Sequence, residues 1–439
     1  MIRSPGKPNQ TAVAEVALTR TAPTQHELIR PDSPLNDLVD LDHAATTSLR
    51  PEVAAAMEPF GTSRYGNPSG SHRLARDAVR AVDEARERIA GVVGCRPSEV
   101  IFTSGGTESD NHAITGGLPA RTSLPICSAV EHHAVLDVVR ALGGSIVGVD
   151  RDGRIDHEDL EAVLNSVTTS GLEVGVVSVM LANNEVGSIN DLSAVAACIA
   201  QSGRSEASRA KASRSEASRA NPAGTGRIPL HTDAVQAAAW LDLRIAAAAA
   251  DMISLSAHKL GGPKGIGALV VRESTQIRPM ILGGGQERDR RSGTLNVAGI
   301  VGFAAALDAV DEQRDLTNHR VAELREQLMR GLVESVDGLT ETVDRSETLP
   351  GSCHVCIDGV DSESLLLLLE AEGVLASAGS SCASGAREAS HVLTALGVAE
   401  ESAQGAVRFW LGWDSTQGDV DVALRAVPAA VKRVREFGR

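Results

Sequence analysis

Between about residues 75 and 290, short hydrophobic runs of strand length alternate with longer stretches of helical periodicity. Parallel strands need a crossover connection, so this alternation is typical of a mostly parallel β-sheet covered by helices. The sequence therefore predicts an α/β fold. The clearest predicted strands are Val100–Thr103, Val174–Met180, Ile228–Thr232, Met252–Ser256 and Gly267–Val271, and the clearest predicted helix is Arg73–Val93.

After about residue 300 the hydrophobic pattern changes. The sequence predicts a smaller C-terminal domain over residues 301–439, which follows a larger domain over residues 39–300. Ligands of open α/β sheets bind beyond the carboxyl ends of the strands, so we expect the active site in the crevice between the two domains. The predicted elements of the smaller domain are a helical stretch at 301–333, a strand near 352–358, a Leu-rich helix at 363–371, a Gly- and Ser-rich loop and a last helix toward residue 439.

Two segments do not fit either pattern. Residues 1–38 mix proline, threonine, asparagine and charges of both signs, which is typical of a disordered tail. Between residues 202 and 226 the sequence Arg-Ser-Glu-Ala-Ser-Arg-Ala occurs twice and has little to bury. We interpret it as a solvated insertion between a helix and a strand, either disordered or an extension of the helix; a docking arm for a partner is the less favoured alternative.

The composition narrows the classes of function. The 439 residues carry a formal net charge of -15, which argues against direct nucleic-acid binding because phosphate binding needs a basic surface. The six cysteines are irregularly spaced, so we expect no disulfide framework and a reducing, cytoplasmic compartment. The sequence contains no run of about 18 or more apolar residues, so it predicts no membrane span. Acidic residues at 15, 27 and 32 disfavour a targeting peptide.

Three polar motifs lie at the ends of predicted strands. Thr103–Asn111 follows one strand and opens a helix, so it can cradle a phosphate, although the same residues suit an ordinary helix start. Asp233 follows a second strand and can bind a pyridinium nitrogen or cap the next helix. Lys259 follows a third strand, where a desolvated lysine can form a Schiff base with an aldehyde. In this order, the three motifs together predict a pyridoxal-phosphate (PLP) site.

Ten short stretches also resemble the cysteine desulfurases, a family of fold-type I PLP enzymes of aminotransferase class V. They occur in the family's order over essentially residues 40–435. That family has a large domain with a mostly parallel seven-stranded sheet flanked by helices and a smaller α+β domain, so the resemblance implies this fold here. The stretches are Leu41–Thr47, Gly66–Ser69, Ser104–Ser109, Glu131–Val135, Asn183–Gly187, Asp233–Gln236, Ser256–Lys259, Gly283–Glu287, Arg291–Thr294 and Gly379–Cys382.

The resemblance implies roles for individual residues. Lys259 would bind the cofactor covalently, His132 would stack on its ring and assist catalysis, and Asp233 would bind its ring nitrogen. Gln236 and Asn184 would contact the ring hydroxyl, and Asn184 would also contact the substrate. The residues implied for the phosphate are Gly106, Thr107, Ser256 and His258, together with Thr294 of a neighbouring subunit, which implies a homodimer with shared sites.

The resemblance also implies a reaction, the removal of sulfur from L-cysteine to give L-alanine and a persulfide on Cys382. Arg408 would bind the substrate carboxylate, for which a guanidinium is well shaped. The segment Ala376–Gly385 is rich in small polar residues, which indicates an accessible loop around Cys382 rather than core. The sulfur would pass to an iron–sulfur scaffold protein or to thio-cofactor or tRNA assembly.

Several alternatives stay open at this point. Lys259 and Asp233 would also serve a PLP lyase acting on selenocysteine or cysteine sulfinate, a desulfurase dedicated to tRNA or DNA thiolation, or a non-catalytic scaffold. Trp410 replaces a small residue of the family and Trp413 lies nearby, so we expect a reshaped substrate pocket. Cys353–Cys356 has no second ligand pair at zinc spacing, so strand residues rather than a metal site are predicted.

Overall fold

The computed structural model describes residues 38–119, 123–213, 227–378 and 390–437, with the side chains of 203–213 excepted. Its strands are β1 (Val39–Asp40), β2 (Val100–Thr103), β3 (Ser123–Ser128), β4 (Ser145–Val147), β5 (Glu173–Ser178), β6 (Leu230–Asp233), β7 (Met252–Ser256), β8 (Gly267–Val271), β9 (Leu339–Glu341), β10 (Ser352–Ile357), β11 (Val374–Leu375) and β12 (Ala406–Trp410). Its helices are α1 (Pro51–Gly61), α2 (Arg73–Val93), α3 (Gly106–Gly117), α4 (His133–Ala141), α5 (His157–Thr169), α6 (Leu192–Ser213), α7 (Leu243–Ala246), α8 (Val297–Ser335), α9 (Ser362–Ala371), α10 (His391–Ala395), α11 (Glu400–Ala403) and α12 (Gln417–Phe437).

A seven-stranded sheet in the order β2-β8-β7-β6-β5-β3-β4 forms the centre of the molecule. Strands β7, β6, β5, β3 and β4 are parallel to one another, and β8 runs antiparallel to both strands beside it. Helices α3, α4, α5 and α6 connect successive parallel strands. The predicted mostly parallel sheet covered by helices is confirmed.

Most predicted elements of this sheet have the expected bounds. Strands β2, β7 and β8 and helix α2 begin and end where the sequence placed them. Strand β6 instead extends to Asp233, because its pairing with β7 continues through the partners Asp233 and Ser254. The sequence pattern alone does not contain this register, since it depends on a strand about 20 residues away.

A second group of strands forms from the C-terminal part of the chain. Strands β12, β10 and β9 make an antiparallel sheet, and the two-residue strand β1 pairs in parallel with β11. Helix α8, 39 residues long, leads into this region and packs against α1, α2 and α12. The boundary between the two proposed domains at residue 300 stays a prediction.

The described residues cover part of the two unusual segments. Helix α6 continues to Ser213, so the backbone of the insertion is helical up to that residue, and residues 214–226 lie outside the described ranges. Residues 1–37 of the predicted tail lie outside them as well. Within the described ranges, every helix is too short or too polar to cross a bilayer.

A buried ion pair fixes the loop that precedes α8. Both terminal nitrogens of Arg86 on α2 contact the Glu287 carboxylate, at 2.6 and 2.9 Å, and the Phe102 N–H donates to the same carboxylate at 2.8 Å. Glu287, Arg288 and Asp289 all have left-handed backbone angles, with φ of 51°, 58° and 64°. Because non-glycine residues rarely adopt this conformation, the ion pair holds the turn in a shape it would not keep alone.

We expect Glu287→Gln to lower the free energy of unfolding by about 3 to 5 kcal/mol, because the Arg86 charge would remain buried without its partner. Denaturant unfolding measures this change. The matched control is Glu273→Gln, which breaks the exposed pair with Arg96 and should cost less than about 1 kcal/mol. Equal losses in the two variants would contradict the assigned role of Glu287.

Candidate active site

A cavity of about 300 Å³ opens where the carboxyl ends of β6 and β7 and the start of α3 approach β12. The residues that line it come from segments between Ala44 and Arg408, as expected for a site at the strand ends of an α/β sheet. Ten of the twelve predicted site residues line this one cavity. They are Gly106, Thr107, His132, Asn184, Asp233, Gln236, Ser256, His258, Lys259 and Arg408.

The other two predicted residues are not among the lining residues. Thr294 is exposed in the loop before α8, and its predicted role concerns a neighbouring subunit. Cys382 lies outside the described residues. The described residues on either side of that gap do reach the site: Ser377 pairs with Arg408 through its backbone, with Ser377 N donating to Arg408 O at 3.2 Å, and His391 lines the cavity.

The start of α3 forms the end of the cavity that suits a phosphate group. The first amides of a helix have no acceptor within the helix and carry its positive dipole end, so they favour an anion. Gly106 is required here because a Cβ at this position would lie 2.7 Å from Cγ2 of Val235. The hydroxyl of Ser256 and the imidazole of His258 line the same end of the cavity. The pKa of His258 falls to about 4 through burial and the nearby charges of Lys259 and Lys264, so this imidazole is neutral at pH 7.

Asp233 places a buried carboxyl at the end of β6. Its Oδ1 accepts a hydrogen bond from the Val235 N–H at 2.8 Å, which fixes the carboxyl orientation. Burial raises the pKa of Asp233, and the positive charges of His132 and Lys259 oppose that rise. A carboxyl in such surroundings gains most from a cationic partner, and a protonated ring nitrogen is one.

A polar layer that the sequence analysis did not identify lies next to Asp233. The ring nitrogens of His231 contact Ser178 Oγ at 2.8 Å and Ser254 Oγ at 2.9 Å, and burial lowers the pKa of His231 to about 3. Asp110 Oδ1 lies 3.6 Å from His231 Nε2. Burial and the neighbouring charge of Asp233 raise the pKa of Asp110 well above its ordinary value. A histidine inside a buried strand was the signal that could have revealed this layer.

Lys259 follows β7 in a tight 3₁₀ turn. Its Nζ donates to the carbonyl oxygens of Ala44 and Ala45, the latter at 2.9 Å. Thr47 fastens the same segment to the turn, because its N–H and hydroxyl both donate to the His258 carbonyl, at 3.0 and 2.8 Å. The stretch Leu41–Thr47 therefore forms one wall of the lysine site.

Arg408 lies in the middle of β12 and is 2% exposed. It donates to Asp42 Oδ1 at 2.7 Å and to the Asn184 carbonyl at 3.0 Å, while its Nε has no hydrogen-bond partner among the described protein atoms. A buried guanidinium that faces a cavity and retains an unpaired nitrogen is suited to binding an additional carboxylate.

Three histidines besides His258 line the same cavity. His132 caps α4, with its Nδ1 accepting from the Ala134 N–H at 3.1 Å, and burial lowers its pKa. The sequence analysis missed His133 and His391, whose ring centroids are 4.7 Å apart. His391 Nε2 lies 2.9 Å from the Glu131 carbonyl, and burial lowers the pKa of His391.

The expectation that the two tryptophans reshape the substrate pocket is not met. Neither Trp410 nor Trp413 lines the larger cavity, and both line a separate small one that shares Lys259 and Gln236 with it. Trp410 is fully buried, and its side chain lies on the same face of β12 as that of Arg408, because residues two apart in a strand share a face. Cys353 and Cys356 are buried in β10 as predicted, and the described residues form no group suited to a metal.

We expect Asp110→Asn to change how stability depends on pH. In the folded protein the buried Asp110 keeps a proton that the unfolded chain releases near pH 3.8. The free energy of unfolding therefore falls as pH rises above that value, by up to about 1.4 kcal/mol per pH unit. Asparagine mimics the neutral acid and carries no such proton. The variant should therefore gain stability relative to the parent between about pH 5 and about pH 7.

Unfolding curves of both proteins at equal PLP loading measure this difference. Asp421→Asn, at an exposed position on α12, is the control and should give a difference that does not change with pH. A pH-independent difference for Asp110→Asn would mean that Asp110 is ionised in the folded protein.

Comparison with known proteins gives one consistent result. The model of the family Aminotransferase class-V matches residues 39–205 and 223–422. The chain is 39% identical over 405 residues to cysteine desulfurase IscS of Dictyoglomus turgidum, covering 90% of this chain and 95% of that protein. It is 38% identical over 408 residues to the IscS-like cysteine desulfurase of Mycobacterium tuberculosis, covering 90% and 96%. A solved NifS-like protein superposes with a TM-score of 0.77 at 31% identity, over 90% of this chain and all of that one.

Proposed function

Because this chain belongs to the aminotransferase class-V family and is a PLP-dependent cysteine desulfurase, we propose that Lys259, Asp233 and Arg408 perform the reaction on L-cysteine and that Cys382 receives the sulfur. The observation that carries this assignment is the convergence of a strand-end lysine, a buried carboxyl and a buried guanidinium on one cavity of about 300 Å³. L-Alanine is the product.

The residues of the cavity fit PLP. The amides at the start of α3 suit its phosphate, and the absence of a side chain at Gly106 lets the start of this helix pack against Val235. Asp233 suits its ring nitrogen, and Lys259 lies where an amine can hold its aldehyde carbon. Gln236 and Asn184 line the same cavity and suit its ring hydroxyl. When bound, the cofactor supplies an electron sink for the charge that develops at the substrate Cα.

Lys259 is proposed to take the proton from the substrate Cα. A lysine can act as a base only when its amine is unprotonated, and the two carbonyl contacts from Ala44 and Ala45 limit where that amine lies. His132 lies close enough to Asp233 and Lys259 for their charges to affect its pKa. It is proposed to stack on the cofactor ring and to assist in moving protons.

Arg408 is proposed to orient L-cysteine through its carboxylate. Its side chain is held by Asp42 and by the Asn184 carbonyl, so its position does not depend on the substrate. Such a preorganised guanidinium binds a carboxylate with little loss of entropy. Asn184, whose backbone supports this arginine, is the second proposed substrate contact.

Cys382 is proposed to attack the sulfur of the substrate as a thiolate. A bond forms between the two sulfur atoms, the substrate Cβ–S bond breaks with its electron pair passing to the carbon skeleton, and a proton added to carbon completes alanine. The residues that flank the gap support this proposal. Ser377 pairs with Arg408, Ser390 Oγ donates to Glu185 Oε2 at 2.6 Å, and both Arg408 and Glu185 line the cavity.

The persulfide is proposed to deliver its sulfur to an acceptor protein in the cytoplasm, either an iron–sulfur scaffold or a protein of thio-cofactor or tRNA assembly. The resemblance to IscS-type proteins supports the first of these. None of the five cysteines in the described part of the chain forms a disulfide, which agrees with a reducing compartment.

A homodimer with shared sites is proposed as the active form. The loop before α8 exposes three consecutive apolar side chains, Met280, Ile281 and Leu282, and Leu282 is 79% exposed. Thr294, the residue expected to reach a partner's phosphate, lies on the same loop. An exposed apolar run on a loop that is firmly held by Glu287 is typical of a surface covered by another chain.

We expect Cys382→Ser to reduce alanine formation from L-cysteine at least a hundredfold while the visible absorbance of bound PLP is kept, because a hydroxyl is a poor nucleophile toward sulfur. Mass spectrometry of the parent after cysteine treatment should find one added sulfur at Cys382. The control is Cys198→Ser on α6, which should retain full activity. A Cys382→Ser protein with full alanine production would rule out the assigned nucleophile.

We expect Arg408→Lys to raise KM for L-cysteine by roughly 10- to 100-fold, because the ammonium keeps the charge and loses the paired geometry. Steady-state kinetics with KM and kcat measured separately test this. The comparison variant is Arg425→Lys on α12, far from the cavity in sequence and on another element. An unchanged KM with a lower kcat would show that Arg408 acts on a later step instead of on substrate binding.

A further inference from the structure

A second cavity, of about 20 Å³, adjoins the first. Lys259 and Gln236 line both cavities, so these side chains form part of the wall between them. Its remaining walls include His43, Trp410 and Trp413. A space of this size holds about one water molecule, provided that polar groups are present to bind it.

Besides two nitrogens of Arg314, three buried polar atoms of the lining residues have no hydrogen-bond partner among the described protein atoms. They are Nδ1 of His43, Oε1 of Gln236 and Nε1 of Trp413. His43 is 5% and Gln236 6% exposed. Buried polar atoms in folded proteins nearly always have a partner, so these three indicate a bound molecule. An indole N–H can only donate, an amide oxygen can only accept and an imidazole nitrogen can do either, which together match the two donors and two acceptors of water.

His43 connects this cavity to the protein surface. Its other ring nitrogen, Nε2, lies 3.6 Å from Oδ1 of Asp414, whose side chain is 36% exposed. The second oxygen of Asp414 accepts a hydrogen bond from Ser48 Oγ at 2.6 Å, which holds the carboxylate in place. The imidazole therefore extends from a cavity beside Lys259 to a carboxylate in contact with solvent.

The surrounding packing holds the His43 ring in this position. A Cβ at Gly412 would lie 2.3 Å from Nδ1 of His43, so the ring packs directly on the glycine backbone. The backbone N–H of His43 donates to the Trp410 carbonyl at 3.3 Å. The Arg50 guanidinium lies 4.3 Å from the ring centroid of Trp413 and fixes the opposite wall. The two tryptophans thus shape this small cavity rather than the substrate site.

We propose that the small cavity holds an ordered water molecule that exchanges protons between Lys259 and His43, and through Asp414 with solvent. The proposal rests on the assigned role of Lys259 as the base that takes the substrate Cα proton. It makes His43 a positioning and proton-relay residue for the reaction.

The proton count balances at each step. The Lys259 ammonium gives a proton to the water while the water gives one to Nδ1 of His43, and the imidazole releases the proton on Nε2 toward Asp414 and solvent. The reverse sequence returns a proton to Lys259. The other charged groups near the path are Arg50 and Arg314, and Arg314 is paired with Asp311 at 2.8 Å, so neither is a proton acceptor.

A crystal structure of the full chain with PLP at high resolution tests the water site directly. We expect density for one water within hydrogen-bond distance of Nδ1 of His43 and Oε1 of Gln236. The same density should persist in Asp414→Asn, which changes the exposed end of the path and leaves the cavity intact. Fully ordered side chains with no such density would overturn the proposal.

The isotope content of the product tests the relay. L-Cysteine that carries deuterium at Cα is converted in ordinary water, and mass spectrometry measures how much deuterium alanine retains at Cα. We expect His43→Phe, which keeps a planar ring and removes both nitrogens, to raise the retained fraction several-fold over the parent, because the deuteron on Lys259 would no longer exchange with solvent before it is returned. Asp414→Asn should raise it less and serves as the second variant if His43→Phe does not fold.

The matched control is His319→Phe, at a histidine on α8 whose side chain is 77% exposed and whose ion pair is with Glu323 on the same helix. Its alanine should contain as little deuterium as that of the parent. Equal retention in His43→Phe and the parent would overturn the relay and leave the desulfurase assignment standing, since alanine would still form. A PLP-loaded parent that forms no alanine would instead overturn the assigned residues of the reaction.

Discussion

The hydrogen bonds between the lysine turn and the segment of residues 41–47 hold the site together. Thr47 reaches the carbonyl of His258 across a sequence separation of 211 residues, and Lys259 reaches the carbonyls of Ala44 and Ala45. The same segment provides Asp42, which pairs with Arg408 on β12. One short stretch of backbone thereby fixes the distance between the amine and the guanidinium, although Lys259 follows a strand of the central sheet and Arg408 lies in another sheet. Any substrate that must contact both groups depends on this connection.

The second constraint is that titratable groups next to the cavity are buried without an opposite charge that compensates them. The raised pKa of Asp233 and of Asp110 and the lowered pKa of His231 all have desolvation as their main cause. The cavity is lined by three carboxyl groups, those of Asp110, Glu185 and Asp233, and burial is the main cause of the raised pKa of each. A cationic ring nitrogen would find in Asp233 an acceptor that no protein cation already neutralises by a direct ion pair within the described ranges. The carboxyl of Asp233 therefore remains available to bind the cofactor, because no protein cation in the described ranges forms a direct ion pair with it.

The sequence predicted more of the site than of its surroundings. Phosphate cradle, aspartate and lysine were predictable because each follows a hydrophobic strand, and parallel strand ends meet on one edge of a sheet. Asp110 and His231 were not singled out, since their importance comes from lateral contacts between neighbouring elements. The sequence also did not show that Trp410 lines the small cavity and not the main one. Arg408 and Trp410 share one face of β12, and only the packing of distant segments against that face places one at the main cavity and the other at the small one.

What the sequence by itself determined is the order of the elements and the chemical types available at the strand ends. The periodicity of apolar residues fixes helices and strands locally, and a lysine or aspartate that follows a strand lies at the carboxyl edge of any parallel sheet. Only the tertiary structure decided which distant groups meet. The contact of His43 with Gly412, the small cavity behind Lys259 and the pairing of Arg408 with Asp42 all join the first described residues to the last strand. Such contacts depend on packing in three dimensions, which no local pattern of residues contains.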